Sequence, residues 1–227
     1  MLKPWLKKQW CIAKVTGEYI ARMEDILDLY QAPIVPGVAR LCFDERPCQL
    51  LGHSISPLPV KPGQVEKQDH RYIRQGTCVL LLAYDIDQGL RYLQVRKQRT
   101  KRDYAECIYW LTTTHYAHVD KIKLVQDNLN THQYGAFYER YTPAIAHAMK
   151  NKIEFHFTPK HASWLNSAEI EFSAIARQAI SQRVESIQKM KHITHAWQED
   201  RNQRRTKISW SFTTLQARTK MKQQYRI

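Results

Sequence analysis

The alternation of hydrophobic and polar positions predicts a run of helices and strands along the chain. Residues 18–30 repeat apolar side chains at helical spacing and are followed by two prolines, which predicts a first helix that ends there. Residues 38–43 are mostly apolar, which predicts a strand that carries Asp44 at its C-terminal end. Residues 48–54 are interpreted as a neighbouring strand, and residues 57–75, with their prolines, glycines and polar residues, as an exposed loop.

Strand patterns continue in the centre of the chain. Residues 77–84 and 90–95 predict a hairpin closed by a turn that ends in glycine. Asp103 is expected to cap the helix that follows it, because the apolar residues after it recur at helical spacing. Residues 122–126 then predict a strand that ends at Asp127.

The last third of the chain predicts one more strand and several helices. A helical stretch interrupted by proline leads to a strand at residues 153–157, where apolar and polar residues alternate. Residues 165–182 and 187–202 predict two further helices. The order is three strands, then helix, strand, helix, strand, helix. This order favours an α/β fold in which a mixed sheet is covered by helices.

Basic residues outnumber acidic ones in this chain of 227 residues, with 35 Lys and Arg against 21 Asp and Glu. The formal net charge of +14 creates a field that attracts polyanions, so nucleic acid is the expected partner. A soluble basic protein without such a partner is the alternative, because net charge alone does not distinguish the two.

Cysteine usage and hydropathy bear on the compartment. The five cysteines are scattered and form no C-x-x-C pair, which indicates neither a zinc ribbon nor a disulfide framework and fits a reducing cytoplasm. The longest apolar run, residues 78–84, is far shorter than the roughly 20 residues that span a bilayer. The N-terminus is interrupted by lysines and lacks a signal-peptide core. We expect a soluble cytoplasmic protein with no membrane partner.

Three acidic residues stand at positions where α/β proteins place their sites. Asp44 and Asp127 follow predicted strands, and Glu169 lies on a later predicted helix. Each one has a simpler structural interpretation. The two aspartates could be turn residues, and Glu169 could close a capping box with Asn166.

Together the three carboxylates would favour bound cations. Two carboxylates about 4 Å apart repel each other by roughly 4 kcal/mol at an effective dielectric constant of 20, so a cluster of three either takes up protons or binds metal. Oxygen ligands alone select hard ions such as Mg²⁺ or Mn²⁺. Two such ions can activate a water or hydroxyl and stabilise the leaving oxygen when a phosphodiester is displaced. The sequence therefore favours metal-dependent phosphodiester chemistry on a nucleic acid.

Three segments around these acids resemble the catalytic blocks of mariner-like DDE transposases, and in particular the bacterial insertion-sequence 630 branch. They are residues 42–45 (CFDE), 127–132 (DNLNTH) and 157–169 (FTPKHASWLNSAE), and the likeness extends from about Leu2 to Tyr225. The resemblance implies an RNase H-like fold and cut-and-paste chemistry with two Mg²⁺ or Mn²⁺ ions held by the three acids. It also implies double-stranded DNA as the partner, at transposon ends and target sites, and a nucleoid-associated location in a bacterial cytoplasm.

The resemblance further implies how the chain is divided. Residues 1–36 would be a linker and helix, residues 37–185 the RNase H-like DDE catalytic domain, and residues 186–227 a basic C-terminal helical tail. Members of the family carry a helix-turn-helix region ahead of the catalytic domain, so we expect a separately encoded upstream half, or a truncated copy, and a possible homo-oligomer. Two alternatives to an active transposase stay open. One is an inactive remnant that binds DNA without sequence preference, and the other is a plain ribonuclease H or nuclease.

Further polar residues of these blocks are candidates for orienting the acids or contacting DNA. His132 follows Asp127 closely and could orient a metal ligand or a phosphate, or it could bond a backbone carbonyl as a structural histidine. Asn128 could act in the same way or be an Asx-turn residue. The remaining candidates are Lys160, His161, Arg99 and Lys101.

The third acid has a competitor. Glu171 stands two positions after Glu169, and at about 100° per residue the two carboxylates lie on opposite flanks of the apolar helix face. Periodicity does not choose between them. The resemblance favours Glu169.

Two stretches are strongly basic. Residues 91–102 contain six Lys or Arg and no acid, and residues 177–227 contain twelve against three, a net of +9. Such runs are commonly solvated faces, and the aromatic residues of the second stretch are commonly core residues. With a phosphodiester substrate, we interpret both as surfaces that follow the DNA backbone, so removing the residues after Gln203 is expected to weaken DNA binding.

Overall fold

A mixed sheet of five strands lies at the centre of the structure, a computed structural model that describes residues 15–222. The spatial order of the strands is β3-β2-β1-β4-β5. Strands β1, β2 and β3 pair antiparallel, whereas β4 runs parallel to β1 and to β5. The strands are β1 (Val38–His53), β2 (Tyr72–Asp85), β3 (Leu90–Arg96), β4 (Lys121–Gln126) and β5 (Ile153–Phe157).

Helices cover both faces of this sheet. A π-helical turn at Leu111–His115 extends the second helix, and a 3-10 turn at Ser163–Leu165 precedes the fifth. No helix within residues 15–222 is both long and apolar enough to cross a membrane. The helices are α1 (Gly17–Gln31), α2 (Lys101–Trp110), α3 (Gly135–Arg140), α4 (Pro143–Lys152), α5 (Ser167–Gln178), α6 (Ile187–Gln203) and α7 (Thr214–Lys220).

The core consists of two layers, one on each face of the sheet. In β2, Leu80 and Leu82 face a layer built with α1, α5, α6 and α7, while Val79 and Leu81 face a layer built with α2, α3 and α4. This alternation follows from the two-residue period of a strand. Because both faces are covered, β2 is apolar at consecutive positions from Cys78 to Tyr84.

Most of the predicted elements are confirmed. The first helix, the hairpin of β2 and β3, the strands β4 and β5, and the helix α6 lie where the pattern placed them. The predicted α/β class with a mixed sheet is confirmed as well. The prediction for residues 1–36 begins outside the described part of the chain, as do Leu2 and Tyr225, and the proposed division into linker, catalytic domain and tail stays a prediction.

One strand prediction was wrong. Strand β1 does not end at Asp44 but continues to His53, so residues 48–54 belong mostly to the same strand and are not its neighbour. Polar residues and Pro47 in the middle of this strand look like a break in the sequence. They are tolerated because β4 pairs with β1 only as far as Cys42, so the missing N–H of Pro47 faces no partner strand on that side.

Smaller differences concern the ends of elements. Thr100, not Asp103, is the N-cap of α2, and Asp103 closes the capping box from the third helical position. Helix α5 begins at Ser167 and ends at Gln178, shorter at both ends than predicted. Residues 72–75, taken as loop, begin β2.

The outer edge of the sheet is covered by side-chain amides of α6. The Oδ1 atom of Asn202 accepts a hydrogen bond from the backbone N–H of Arg91 at 2.7 Å, and its Nδ2 donates to the Arg91 carbonyl at 2.8 Å. Gln198 accepts from the backbone N–H of Leu93 at 2.7 Å. The amides thus replace a neighbouring strand and leave these edge groups satisfied.

Replacing Asn202 should therefore loosen this edge. We expect Asn202→Ala to lower the free energy of unfolding by about 1–3 kcal/mol, because a buried backbone donor and acceptor of Arg91 lose their partners. Urea denaturation measures the loss, and hydrogen exchange of the Arg91 amide should become faster. The exposed neighbour Gln203 supplies the control, since Gln203→Ala should stay within about 0.5 kcal/mol of wild type. Equal effects of the two substitutions would contradict this account.

Candidate active site

Asp44 and Asp127 are brought together by the parallel pairing of β1 and β4. The last residue pair of this ladder is Cys42 with Val125. Asp44 lies two residues further along β1, and Asp127 lies two residues after Val125, directly after β4 ends. Asp44 is thus in the middle of β1, not at its end as predicted, but it does lie where the ladder with β4 ends. Both aspartates therefore lie at the same end of the β1–β4 ladder, which we call the acidic edge of the sheet.

The third acid is anchored to the first through the N-cap of α5. Asn166 accepts from the backbone N–H of Ala168 at 3.1 Å and donates through Nδ2 to the Phe43 carbonyl at 2.9 Å and to Asp44 Oδ2 at 3.3 Å. Glu169 lies in the first turn of this helix and is exposed. Asn166 is therefore the N-cap of α5, but Glu169 does not close a capping box with it, and Asn166 also fixes the position of the turn that carries Glu169 beside Asp44.

The charges of the three acids act on one another. The pKa of Asp44 is raised to about 7, mainly by burial and also by the negative charges of Glu169 and Asp127. The hydrogen bond from the backbone N–H of Glu45 acts in the opposite direction and lowers this pKa. Asp44 is only 9% exposed. Its charged form is costly in this place, which is the electrostatic setting that a bound cation relieves.

His132 is buried between two carboxylates. Its Nδ1 lies 2.5 Å from Asp127 Oδ1, and its Nε2 lies 3.7 Å from Glu45 Oε2. Burial lowers the pKa of His132, but the hydrogen bond with Asp127 and the negative charges of Asp127 and Glu45 outweigh it and raise the pKa to about 9. The ring nitrogens face carboxylates and not a backbone carbonyl, so the interpretation of His132 as a simple structural histidine was wrong.

Glu45 also belongs to this site, although the sequence analysis assigned it no role of its own. Its side chain is 4% exposed, and besides approaching His132 it accepts a hydrogen bond from Arg99 Nη1 at 3.2 Å. The groups thus form a row from Asp127 through His132 and Glu45 to Arg99. A glutamate directly after Asp44, at the end of a mostly apolar run, was the signal that could have identified it.

Two further polar residues, Gln126 and Tyr104, fix the position of His132 through hydrogen bonds. Gln126 donates through Nε2 to the His132 carbonyl at 3.0 Å, and the Tyr104 hydroxyl donates to Gln126 Oε1 at 2.8 Å. Gln126 and Tyr104 are buried, and the Tyr104 ring lies 4.7 Å from that of His132. The sequence analysis missed both, although a glutamine at the end of an apolar strand is an unusual residue to bury.

Glu171 lies in a different environment from Glu169. Both of its carboxylate oxygens bind Arg91, at 2.7 and 2.8 Å, and Arg201 contacts it at 3.2 Å. Glu171 and Arg91 are completely buried. The carboxylate of Glu171 is thus engaged with β3 and α6, away from the edge where Asp44 and Asp127 meet.

The other candidate residues divide between two places. A cavity of about 400 Å³ opens beside Asp127 and is lined by Asn128, Lys160 and His161, together with Arg22, which the sequence analysis had not singled out. Larger hollows of about 550 and 610 Å³ run along α6, but none of the three acids lines them. Lys101 lies outside this group, because its Nζ pairs with Glu139 at 2.5 Å.

The donor atoms of the site suit a hard cation. Asp44, Asp127 and Glu169 offer only carboxylate oxygens, which is the chemistry that Mg²⁺ and Mn²⁺ prefer. Within residues 15–222, no three His, Cys, Asp or Glu side chains already stand in the arrangement of a metal site. Glu169 is exposed and the side chain of Asp127 is 36% exposed, so both carboxylates have room to adjust around an ion.

The fold and the acidic edge define an RNase H-like nuclease domain. The sequence profile of the DDE superfamily endonucleases matches residues 39–191, which is most of the chain. The protein therefore belongs to the DDE superfamily endonuclease family, as the resemblance had implied. No curated protein sequence matches the chain.

Solved structures of a mariner transposase share this fold. The Mos1 paired-end complex with Mn matches with a TM-score of 0.56 at 15% identity, over 90% of this chain and 63% of that one. The Mos1 strand transfer complex matches with a TM-score of 0.58 at 15% identity, over 88% and 59%. The Mos1 catalytic domain matches with a TM-score of 0.54 at 12% identity, over 86% and 90%. The chain thus spans less than two thirds of the Mos1 chains in the two complexes, and identities this low show the shared fold alone.

The different surroundings of Glu169 and Glu171 predict a large loss of stability on substituting Glu171 and almost none on substituting Glu169. We expect Glu171→Gln to lower the free energy of unfolding by about 3–5 kcal/mol, because it leaves the buried guanidinium of Arg91 without a countercharge. Glu169→Gln, on an exposed position, should change it by less than about 0.5 kcal/mol. Urea denaturation of the two variants measures both values. A stable Glu171→Gln protein would show that the ion pair with Arg91 is not the role of this residue.

Proposed function

We propose that this chain is the catalytic domain of a mariner-like DNA transposase of the insertion-sequence 630 branch, which cleaves DNA strands and transfers them at transposon ends. The observation that carries the proposal is the meeting of Asp44 and Asp127 at the end of the β1–β4 ladder, with Glu169 held beside them by Asn166. Membership of the DDE superfamily endonucleases and the RNase H-like fold support it.

We propose that Asp44, Asp127 and Glu169 hold two Mg²⁺ or Mn²⁺ ions. The oxygen-only donor set and the raised pKa of Asp44 support a cation at this place, and Mos1 structures with Mn and with Mg belong to the fold relatives. When bound, such ions supply an activated water or hydroxyl nucleophile and stabilise the leaving oxygen of the phosphodiester. The protein's own part is to keep the ligands in place. Asn166 does so for Asp44, and His132, backed by Glu45, does so for Asp127.

The substrate in this proposal is double-stranded DNA, and the cavity beside Asp127 is where its backbone enters. Lys160, His161 and Arg22 line that cavity and would contact phosphates without reading sequence. Sequence recognition of transposon ends would come from an upstream helix-turn-helix half or from a homo-oligomer. Helix α1, the described helix before Asp44, is acidic, with Glu18, Glu24, Asp25 and Asp28 against Arg22. A location with the bacterial nucleoid in the cytoplasm follows from the same proposal.

Cleavage should depend on a divalent cation and on each of the three acids. We expect DNA nicking in Mg²⁺ or Mn²⁺ and none in a chelator, while Ca²⁺ should bind and support little turnover. Asp44→Asn, Asp127→Asn and Glu169→Gln should each abolish nicking and leave the melting temperature close to that of the wild type. A gel assay on labelled duplex DNA measures nicking.

The same assay distinguishes the competing functions. Joining of cleaved ends to a second duplex identifies a transposase, whereas nicking without joining identifies a plain nuclease. A folded wild-type protein that binds DNA but does not nick it in either ion would identify the inactive remnant. Full activity of Glu169→Gln together with loss of activity in Glu171→Gln would remove Glu169 from the site.

Lys160 should contribute to DNA affinity through a phosphate contact. We expect Lys160→Ala to weaken binding about equally for all duplex sequences and to flatten the slope of log K against log salt by about 0.9. Lys150 offers the matched control, because this exposed lysine lies in the last turn of α4, at the opposite end of β5 from Lys160. Fluorescence anisotropy at several salt concentrations gives both slopes. An unchanged slope for Lys160→Ala would place the phosphate elsewhere.

A further inference from the structure

Trp164 presents an exposed aromatic surface near the acids. Four tryptophans lie within residues 15–222, and Trp164 alone among them is exposed, at 46% of its surface. Trp197 is buried, and Trp110 and Trp210 are partly buried. The exposed part of this indole is apolar area in contact with solvent, and a flat partner stacked on the ring would remove that area from water.

The backbone and ring of Trp164 are held firmly in place. Trp164 is the central residue of the 3-10 turn Ser163–Leu165, and the Tyr30 hydroxyl donates a hydrogen bond to the Leu165 carbonyl at 2.7 Å. The ring of Trp210 lies nearly parallel to that of Trp164, at an angle of 11° and a centroid distance of 6.4 Å, and Phe212 meets it edge-on at 5.8 Å. A ring supported in this way loses little conformational entropy when a flat ligand stacks on it.

The loop that carries Trp164 borders the site on both sides. The residues just before it, Lys160, His161 and Ser163, line the cavity that contains Asp127. Asn166, two residues after it, donates to Asp44 Oδ2. Trp164 thus lies in the chain between residues that line the cationic cavity and the residue that contacts Asp44.

We propose that Trp164 is a stacking platform for an unpaired base of the DNA next to the phosphate that is cut. The inference rests on the proposed function, because it takes DNA as the substrate. Inside a duplex both faces of a base are covered by its neighbours, so only a base at an end, a nick or a gap, or one turned out of the helix, offers a free face. Stacking on an aromatic ring accepts any base, and Lys160 and Arg22 in the adjoining cavity hold the phosphates of that strand.

The test compares two single-stranded oligonucleotides of equal length, oligothymidylate and an abasic backbone, bound in a chelator so that no cleavage occurs. Trp164→Ala should weaken binding of oligothymidylate about tenfold, which corresponds to about 1.4 kcal/mol, and leave the abasic backbone within about twofold. Trp164→Phe should restore most of the affinity, and Trp164→Leu should not. Tyr138, an aromatic residue of α3 with 45% exposure, gives the matched control, and Tyr138→Ala should change neither affinity.

A second readout reports stacking itself. Oligonucleotides that carry 2-aminopurine should lose fluorescence when they bind the wild-type protein and keep it when they bind Trp164→Ala, with melting curves showing that each variant is folded. If Trp164→Ala weakens both oligonucleotides equally, or if Trp164→Leu binds like Trp164→Phe, the residue only supports the rim and the proposal is overturned. If the wild type nicks duplex DNA but Trp164→Ala changes the affinity for neither oligonucleotide, the stacking role is overturned and the transposase function is not. Failure of the wild type to bind any DNA overturns both the stacking role and the transposase function.

Discussion

The parallel pairing of β1 with β4 is the interaction on which the site depends. It sets Asp44 and Asp127 side by side, and it does so in a partly buried place where their like charges repel. The hydrophobic residues of both strands hold this ladder together on the two faces of the sheet, so the backbones that carry Asp44 and Asp127 cannot separate without disrupting the core. The free energy of the core thus maintains an arrangement that the acids alone would not adopt.

The surrounding residues limit what this repulsion costs. His132, with its pKa raised to about 9, brings a positive charge between Asp127 and Glu45, and Arg99 brings a second one to Glu45. The charge of His132 also acts to lower the pKa of Asp44, but burial and the charges of Glu169 and Asp127 outweigh it, and that pKa stays raised. The unbalanced negative charge is therefore concentrated where Asp44 meets Glu169, which is where a cation would be stabilised most.

The pattern of apolar and polar residues predicted the elements whose formation depends mainly on residues close together in the sequence. The hairpin, β4, β5 and α6 follow from periodicity and turn residues, and so do the position of Asp127 after a strand and that of Glu169 on a helix. Tertiary contacts decided the rest. Strand β1 continues through its polar centre because Glu45 finds His132 and Arg99, and Glu171 is buried because Arg91, 80 residues away in the chain, reaches it from β3. Such pairs leave no periodic trace in a single sequence.

The C-terminal basic stretch illustrates how charge and packing combine in one segment. Its aromatic residues Trp197, Trp210 and Phe212 pack against the core, as the simpler interpretation held, while Arg204, Arg205 and Lys207 are exposed. The backbone of the segment is part of the structure too, since the Thr206 carbonyl accepts from Arg91 Nη2 at 2.6 Å and the Ile208 N–H donates to Tyr84 at 2.9 Å. Removing the residues after Gln203 would therefore take a hydrogen-bond acceptor from the buried Arg91 and expose part of the core. Weaker DNA binding by such a truncated protein would then reflect this damage as well as lost phosphate contacts. Substituting the exposed cations separates the two effects, because it changes the charge and leaves the packing intact.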